Sequence, residues 1–132
     1  MMLYLTDSAQ FAEFPNFHDY EFRCRCGCGL LHMAYCVLAG CQILRNHFGV
    51  PFYPTSGNRC EKHNANSNGA IHSQHLFGRA VDLVVPGVPV HDLAAAGMAL
   101  IPAFRDGGII QYPHRGFVHF DVRPNGPYRD VR

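Results

Sequence analysis

The sequence has no long apolar run and no run of basic residues. No stretch approaches the ~20 consecutive apolar residues that a membrane-spanning helix needs, and a formal net charge of +1 gives no general attraction for nucleic acid. We therefore expect no membrane insertion and no nucleic-acid partner. The opening segment MMLYLTDSAQF also lacks the basic region and apolar core of a signal peptide. We expect a soluble chain that is made in the cytoplasm.

Internal repeats and low-complexity segments are also absent, and the length and composition indicate one folded domain. The chain has 132 residues, which is within the usual range of a single domain. Its 48% of hydrophobic and 16% of charged residues suit a packed core and exclude a disordered protein. We expect a single, monomeric domain, 1–132, with an irregular, cysteine-rich N-terminal arm over about residues 1–32.

The pattern of apolar residues predicts two helices and a small sheet. Apolar residues recur every three or four positions from Met33 to Phe48, which predicts a helix that Gly49 ends. Residues 91–104 have the composition of a second helix. PFYPTSG, RAVDLVV, GIIQY and FVHFDVR are typical of strands, and the last two predict a hairpin. This order of elements predicts an α+β fold, with helices packed on a small, mostly antiparallel sheet.

Three side chains are candidates for holding a catalytic metal ion. Catalytic zinc usually has three ligands from His, Asp, Glu or Cys side chains. His75 and Asp82 occur in SQHLFGRAVDL, where a glycine lets the chain turn from loop into strand. His119 lies on the last predicted strand, and the period of two places Asp121 on the same face. Because the chain has nine histidines, spacing alone leaves a purely structural role open for this set.

Three segments, in order, resemble those of a known enzyme family. SGNRCEKHN, SQHLFGRAVDL and QYPHRGFVHFDVR lie between Thr55 and Arg123. Together they are similar to the motifs of the zinc D-alanyl-D-alanine carboxypeptidases and endopeptidases, a family that includes phage endolysins. The resemblance implies a hedgehog/D,D-peptidase-like fold and a zinc ion held by His75, Asp82 and His119. It also implies hydrolysis of an amide bond in bacterial peptidoglycan peptides, with action on the cell wall, and it is compatible with a phage-encoded lysis enzyme.

The resemblance further implies roles for residues around the metal. Arg59 takes the place of an arginine that binds or orients substrate, and Ser73 that of a serine in the cleft; simple loop-stabilising roles are the alternative for both. Many members have an acidic general base three positions before the last ligand, where this chain has Gly116. We therefore consider His114 and Asp121 as candidates for the base. Asp121 could equally orient the ring of the last ligand.

Six cysteines in a chain of this length could indicate a disulfide framework. Cys24, Cys26 and Cys28 are too close together for an ordinary one, which favours reduced or metal-binding thiols. Together with Cys60, these three could form a four-thiolate structural zinc site, one or two disulfides, or a group of free thiols. The other two cysteines lie on the first predicted helix and are expected in the core.

Two alternative functions follow from the same residues. Gly116 is compatible with a zinc-containing module of the same fold that binds a wall peptide without cleaving it. A small metal- or redox-responsive protein organised by its cysteines would make the His/Asp set incidental. The first alternative predicts metal binding without hydrolysis, and the second predicts that His75→Ala keeps full function.

Overall fold

The computed structural model describes residues 2–132, which form two sheets with helices packed against them. The smaller sheet pairs β1 (Tyr4–Leu5) with β2 (Met33–Ala34). The larger sheet consists of β3 (Tyr53–Ser56), β4 (Ala80–Val84), β5 (Gly108–Tyr112), β6 (Phe117–Asp121) and β7 (Tyr128–Val131). Its strand order is β3-β4-β6-β5-β7, and only the β5–β7 pair is parallel. The predicted mostly antiparallel α+β fold is confirmed.

Within the described part of the chain, four α-helices connect or flank these strands. They are α1 (Tyr35–Phe48), α2 (Glu61–Asn66), α3 (Val90–Leu100) and α4 (Pro102–Arg105). Three 3₁₀ helices lie at Ser8–Glu13, Asp19–Glu21 and Gln74–Phe77. Within residues 2–132, no helix has both the length and the apolar character needed to cross a membrane.

The first predicted helix is present as α1, but it begins later than predicted. Met33 belongs to β2, where it pairs with Leu5 of the N-terminal arm, so the helix begins at Tyr35. Its end is as predicted, because Gly49 adopts the left-handed conformation with φ 66° and donates its N–H to the carbonyl of Arg45. Pairing with Leu5, almost thirty residues away, therefore places the first predicted turn of the helix in a strand.

The second predicted helix is divided into two. Helix α3 ends at Leu100, and Ile101 is extended with φ −119° and ψ 96°. Pro102 then starts α4 at a position where its missing N–H costs nothing. The prediction of one continuous helix over 91–104 is wrong, because the residue before a proline is pushed away from helical geometry.

The large sheet carries the core on one face and polar side chains on the other. Val81 on β4 and Phe120 on β6 are paired neighbours that point toward the helices, and both are fully buried. Helix α3 approaches this face so closely that a Cβ atom on Gly97 would lie 2.2 Å from the Phe120 ring. The alternation of strand side chains then turns Asp82 and His119 to the opposite face. The core thus lies directly beneath these two residues.

The N-terminal arm packs against the same core through its aromatic residues. Phe11, Phe14, Phe17 and Phe22 are all buried, although the segment that carries them has short 3₁₀ helices and otherwise irregular structure. The carbonyl of Phe22 accepts a hydrogen bond from the backbone N–H of Asn58 at 2.9 Å. The arm is therefore joined to the loop after β3, where the polar side of the molecule begins.

Candidate metal centre

Sheet pairing and one tight turn bring His75, Asp82 and His119 together. Asp82 on β4 and His119 on β6 are direct partners across an antiparallel ladder. His75 lies in the 3₁₀ helix just before β4, and Gly78 ends that helix in the left-handed conformation, with φ 66°. A Cβ atom on Gly78 would overlap the carbonyl oxygen of His32, so only glycine fits this turn.

The ligand-type atoms of the three residues converge on one carboxylate oxygen. His75 Nε2 lies 3.2 Å from Asp82 Oδ1, and His119 Nδ1 lies 3.1 Å from the same oxygen. All three residues are buried. One ligand atom from each lies within 4.8 Å of the others, which is close enough for a single ion to contact all three.

The outer nitrogen of each imidazole is held by a group that can only accept a hydrogen bond. His75 Nδ1 lies 2.7 Å from the carbonyl oxygen of Gly57, and His119 Nε2 lies 2.7 Å from Asp121 Oδ2. Each of these nitrogens must therefore carry the ring hydrogen. In the neutral state, the inner nitrogens of both rings are left with bare lone pairs that face the Asp82 carboxylate.

Two lone pairs and a carboxylate in mutual contact form an arrangement that needs a cation or a proton between them. Burial lowers the pKa of His75, which favours its neutral, ligating form. Burial also lowers the pKa of His119, but hydrogen bonds to Asp121 and Asp82 outweigh it and raise that pKa above its usual value. Asp82 stays ionised because His75 and His119 together outweigh burial and hold its pKa well below the usual range. The three residues fit a divalent metal ion.

Asp121 lies behind His119 and is fully buried. Its Oδ1 accepts a hydrogen bond from the backbone N–H of Gly108 at 2.8 Å. Its carboxylate also accepts hydrogen bonds from Nε and Nη2 of Arg123, at 2.9 and 2.6 Å. Burial raises the pKa of Asp121, but the hydrogen bonds from Arg123 and His119 outweigh it and keep the pKa well below the usual range. Of its two predicted roles, this geometry supports orientation of the His119 ring.

The side chain of Arg59 contacts Asp82 from the loop after β3. Its Nη2 lies 3.6 Å from Asp82 Oδ2, the oxygen that points away from the histidines. Its Nε donates to Ser56 Oγ at 3.0 Å and its Nη1 to Asn64 Oδ1 at 3.2 Å. All three guanidinium nitrogens are thus engaged, and Arg59 ties helix α2 and β3 to Asp82.

The three residues open onto a cleft of about 490 Å³. Arg59 and Ser73 line it as well, and the Ser73 hydroxyl oxygen accepts from the His75 backbone N–H at 3.3 Å. His114 does not line the cleft, because it lies in the exposed turn between β5 and β6. Gly116 in the same turn has φ 75° and open space where a Cβ atom would lie, and as a glycine it presents no side chain to the cleft.

Several residues of this region were not predicted from the sequence. The Gly57 carbonyl holds His75, and no side-chain pattern reports on a backbone acceptor. Arg123 covers Asp121, and this pair could have been found, since positions two apart at a strand end share a face. His72 and Arg115 also line the cleft from loops, where periodicity carries no information.

The four cysteines singled out in the sequence lie together, outside this cleft. Cys60 is at the N-terminal end of helix α2, and the other three are in the N-terminal arm. Their sulfur atoms lie within 4.8 Å of one another. The remaining two cysteines are in α1, where Cys41 is fully buried in the core and Cys36 packs against it.

Comparison with known proteins found a relative and a family model that match the chain. A relative from Haemophilus influenzae, described as "Probable peptidoglycan L,D-endopeptidase MepK", is 32% identical over 62 residues. The aligned segment is 47% of this chain but 31% of the relative. No solved structure matches the chain. The family model of peptidase M15 matches residues 15–121, a span that contains all three ligand-type residues, and the chain belongs to this family.

Proposed function

We propose that this chain is a zinc-dependent peptidase that hydrolyses an amide bond in the stem or cross-link peptides of peptidoglycan. The convergence of His75, Asp82 and His119 at the cleft is the observation that carries the proposal. Membership of the peptidase M15 family supports peptide hydrolysis. The name of the Haemophilus influenzae relative supports a peptidoglycan peptide, and hence action on the cell wall.

The donor set supports zinc as the metal. Two imidazole nitrogens and one carboxylate oxygen suit zinc, and three protein ligands are typical of catalytic rather than structural zinc sites. Zinc bound here would lower the pKa of a water ligand toward ~7 and polarise the scissile carbonyl. The contribution of the chain is to orient both imidazoles and to fix which nitrogen of each ring faces the metal, through Gly57 for His75 and Asp121 for His119.

The charges around the cleft favour a peptide that carries carboxylates. Its charged lining consists of one carboxylate and four guanidinium groups, from Asp82, Arg59, Arg115, Arg123 and Arg132. Peptidoglycan stem peptides present free carboxylates, which guanidinium groups bind in a bidentate manner.

Among these arginines, Arg115 is the one we assign to the substrate carboxylate. Arg123 and Arg132 form ion pairs with carboxylates of the chain, and Arg59 contacts Asp82. Within residues 2–132, the Arg115 side chain forms no ion pair or hydrogen bond, and it lies over the rings of Tyr112 and Phe117. We assign Arg59 to the support of Asp82. The Ser73 hydroxyl keeps its hydrogen available for a substrate carbonyl.

Proton transfer needs a base that faces the cleft. Asp121 is covered by Arg123, and His114 is outside the cleft lining. His72 lines the cleft, is exposed, and directly precedes Ser73, which caps the 3₁₀ helix that carries His75. An imidazole is a suitable base near neutral pH, so we assign this role to His72 and keep His114 as the alternative to be tested beside it.

A zinc-containing module that binds wall peptide without cleaving it is the second proposal. It is favoured by Gly116, which leaves the cleft without an acidic side chain from the β5–β6 turn. The two proposals differ only in turnover, since both require the metal and the basic cleft.

The deciding experiment is mass spectrometry of purified peptidoglycan after incubation with the zinc-loaded chain. Parallel samples contain a chelator, the His75→Ala variant, or His91→Ala, which changes an exposed histidine at the start of α3. We expect new fragments with the wild type and His91→Ala, and none in the other two samples. The fragment masses identify the bond. Stoichiometric zinc without any released fragment would contradict the peptidase and support the binding module.

A further inference from the structure

A second group of metal-binding side chains lies where the N-terminal arm meets helix α2. Cys24, Cys26 and Cys28 come from a seven-residue loop that closes when the Cys24 N–H donates to the carbonyl of Leu30 at 2.9 Å. Cys60, the residue that precedes α2, completes the group from a distant part of the chain. The four sulfur atoms all lie within 4.8 Å of one another.

The spacing of these sulfur atoms matches a shared metal ion. A tetrahedral zinc ion with Zn–S bonds of 2.3 Å would hold its sulfur ligands about 3.8 Å apart. Cys24 Sγ lies 3.4 Å from Cys26 Sγ, and Cys26 Sγ lies 3.6 Å from Cys60 Sγ. Because Cys26 is almost equally close to two partners, the arrangement is that of one four-membered group rather than of separate pairs.

Backbone N–H groups point at two of the sulfur atoms. The N–H of Cys60 donates to Cys24 Sγ, and the N–H of His63 donates to Cys60 Sγ, each at 3.4 Å. Such donors stabilise negative charge on sulfur, as a metal-bound thiolate requires. Gly27, between the second and third cysteines, has φ 88°, a conformation that lets this short loop turn tightly around a centre.

We propose that Cys24, Cys26, Cys28 and Cys60 bind a structural zinc ion, separate from the ion at His75, Asp82 and His119. Four thiolates without an open ligand position are the signature of a structural site. The ion joins an arm that has little regular secondary structure to the body of the domain. It thereby adds to the packing of the arm's buried phenylalanines, because metal binding to a folded site contributes folding free energy.

This ion also supports the loop that holds the His/Asp centre. Cys60 follows Arg59, whose backbone N–H donates to the carbonyl of His75 at 3.0 Å. The buried side chain of Asn58 donates to the same carbonyl at 3.1 Å. A thiolate–zinc bond at Cys60 therefore restrains the segment 57–60, which contacts His75 through both its backbone and its side chains.

Metal content measured by plasma mass spectrometry tests the proposal without any assay of activity. We expect two zinc ions per wild-type chain and one each in Cys26→Ser, Cys60→Ser and His75→Ala. Cys36→Ser is the matched control, since Cys36 is a partly buried cysteine of α1 outside the group, and it should keep two. The double variant Cys26→Ser/His75→Ala should hold none. Equal zinc content in Cys26→Ser, Cys60→Ser and the wild type would overturn the proposal.

Spectroscopy on the wild type covers the case in which a cysteine variant does not fold. X-ray absorption at the zinc edge should show Zn–S distances near 2.3 Å, and cobalt substitution should give intense thiolate-to-cobalt charge-transfer bands. These bands should persist in His75→Ala, whose failure to cleave peptidoglycan concerns the other centre. Spectra without sulfur ligands, or an intact mass that lacks two or four hydrogens because of disulfides, would refute the thiolate site and leave the proposed peptidase unaffected.

Discussion

His119 Nε2 donates a hydrogen bond of 2.7 Å to Asp121 Oδ2, and this contact determines which ring nitrogen of His119 is free. We predict that Asp121→Asn lowers zinc affinity about 10- to 100-fold, since a carboxylate behind a ligating histidine orients the ring and increases its basicity. Competition with a chromogenic chelator measures the affinity. Asp130→Asn is the control, because Asp130 pairs with Arg132 on the outer strand. Unchanged affinity in Asp121→Asn would remove Asp121 from the metal centre.

Arg115 is predicted to act on substrate binding rather than on the chemical step. Loss of a charge-assisted contact worth ~1.5–3 kcal/mol should raise KM roughly 10- to 100-fold in Arg115→Ala, with kcat nearly constant. Steady-state kinetics on a purified stem peptide measure this. Arg115→Lys should have a KM between those of the wild type and Arg115→Ala, because lysine keeps the charge but lacks the planar guanidinium group. Amidation of the peptide carboxylates should abolish the difference between the variants. A fall in kcat alone would contradict this role.

The base is tested by replacing two histidines separately. His72→Ala should lower kcat about 10²- to 10⁴-fold, the usual contribution of a positioned general base, while zinc content stays constant. His114→Ala should keep nearly full activity, because His114 lies outside the cleft lining. Single-turnover kinetics with zinc-loaded protein separate this effect from product release. The reverse pattern would assign the proton transfer to His114.

Gly78 is predicted to make a large contribution to stability. Alanine there combines a left-handed φ of 66° with a Cβ overlapping the carbonyl of His32, and should cost roughly 2–5 kcal/mol of unfolding free energy. Gly87→Ala measures the backbone strain alone, because Gly87 also has a positive φ, of 85°, but has open space where a Cβ atom would lie. We expect it to cost only about 1–2 kcal/mol. Urea unfolding followed by circular dichroism gives both values, and equal losses would contradict the steric argument.

The parts of the fold that were predicted correctly are those with a local periodic signal. The buried stripe of α1 and the alternation along β6 both follow from residues a few positions apart. β7 was missed because YRDV has no apolar face and lies at the exposed edge of the sheet, where pairing with β5 alone makes it a strand. The division of the second helix at Pro102 follows from a local rule, because the residue before a proline avoids helical geometry even inside an apolar pattern.

The sequence by itself determined the peptidase resemblance, the three metal-ligand candidates and the face of β6 that carries two of the site residues, because motif order and strand alternation are properties of the chain. Only the tertiary structure decided which atoms of these residues are free and which are held by neighbouring groups. The hydrogen bond to the Gly57 carbonyl determines which nitrogen of His75 is free, and Arg123 covers the Asp121 carboxylate. Cys60 contacts Cys26, from which it is separated by 34 positions in the sequence. These are contacts between distant segments, and their geometry depends on how the sheet and the arm pack rather than on any local spacing.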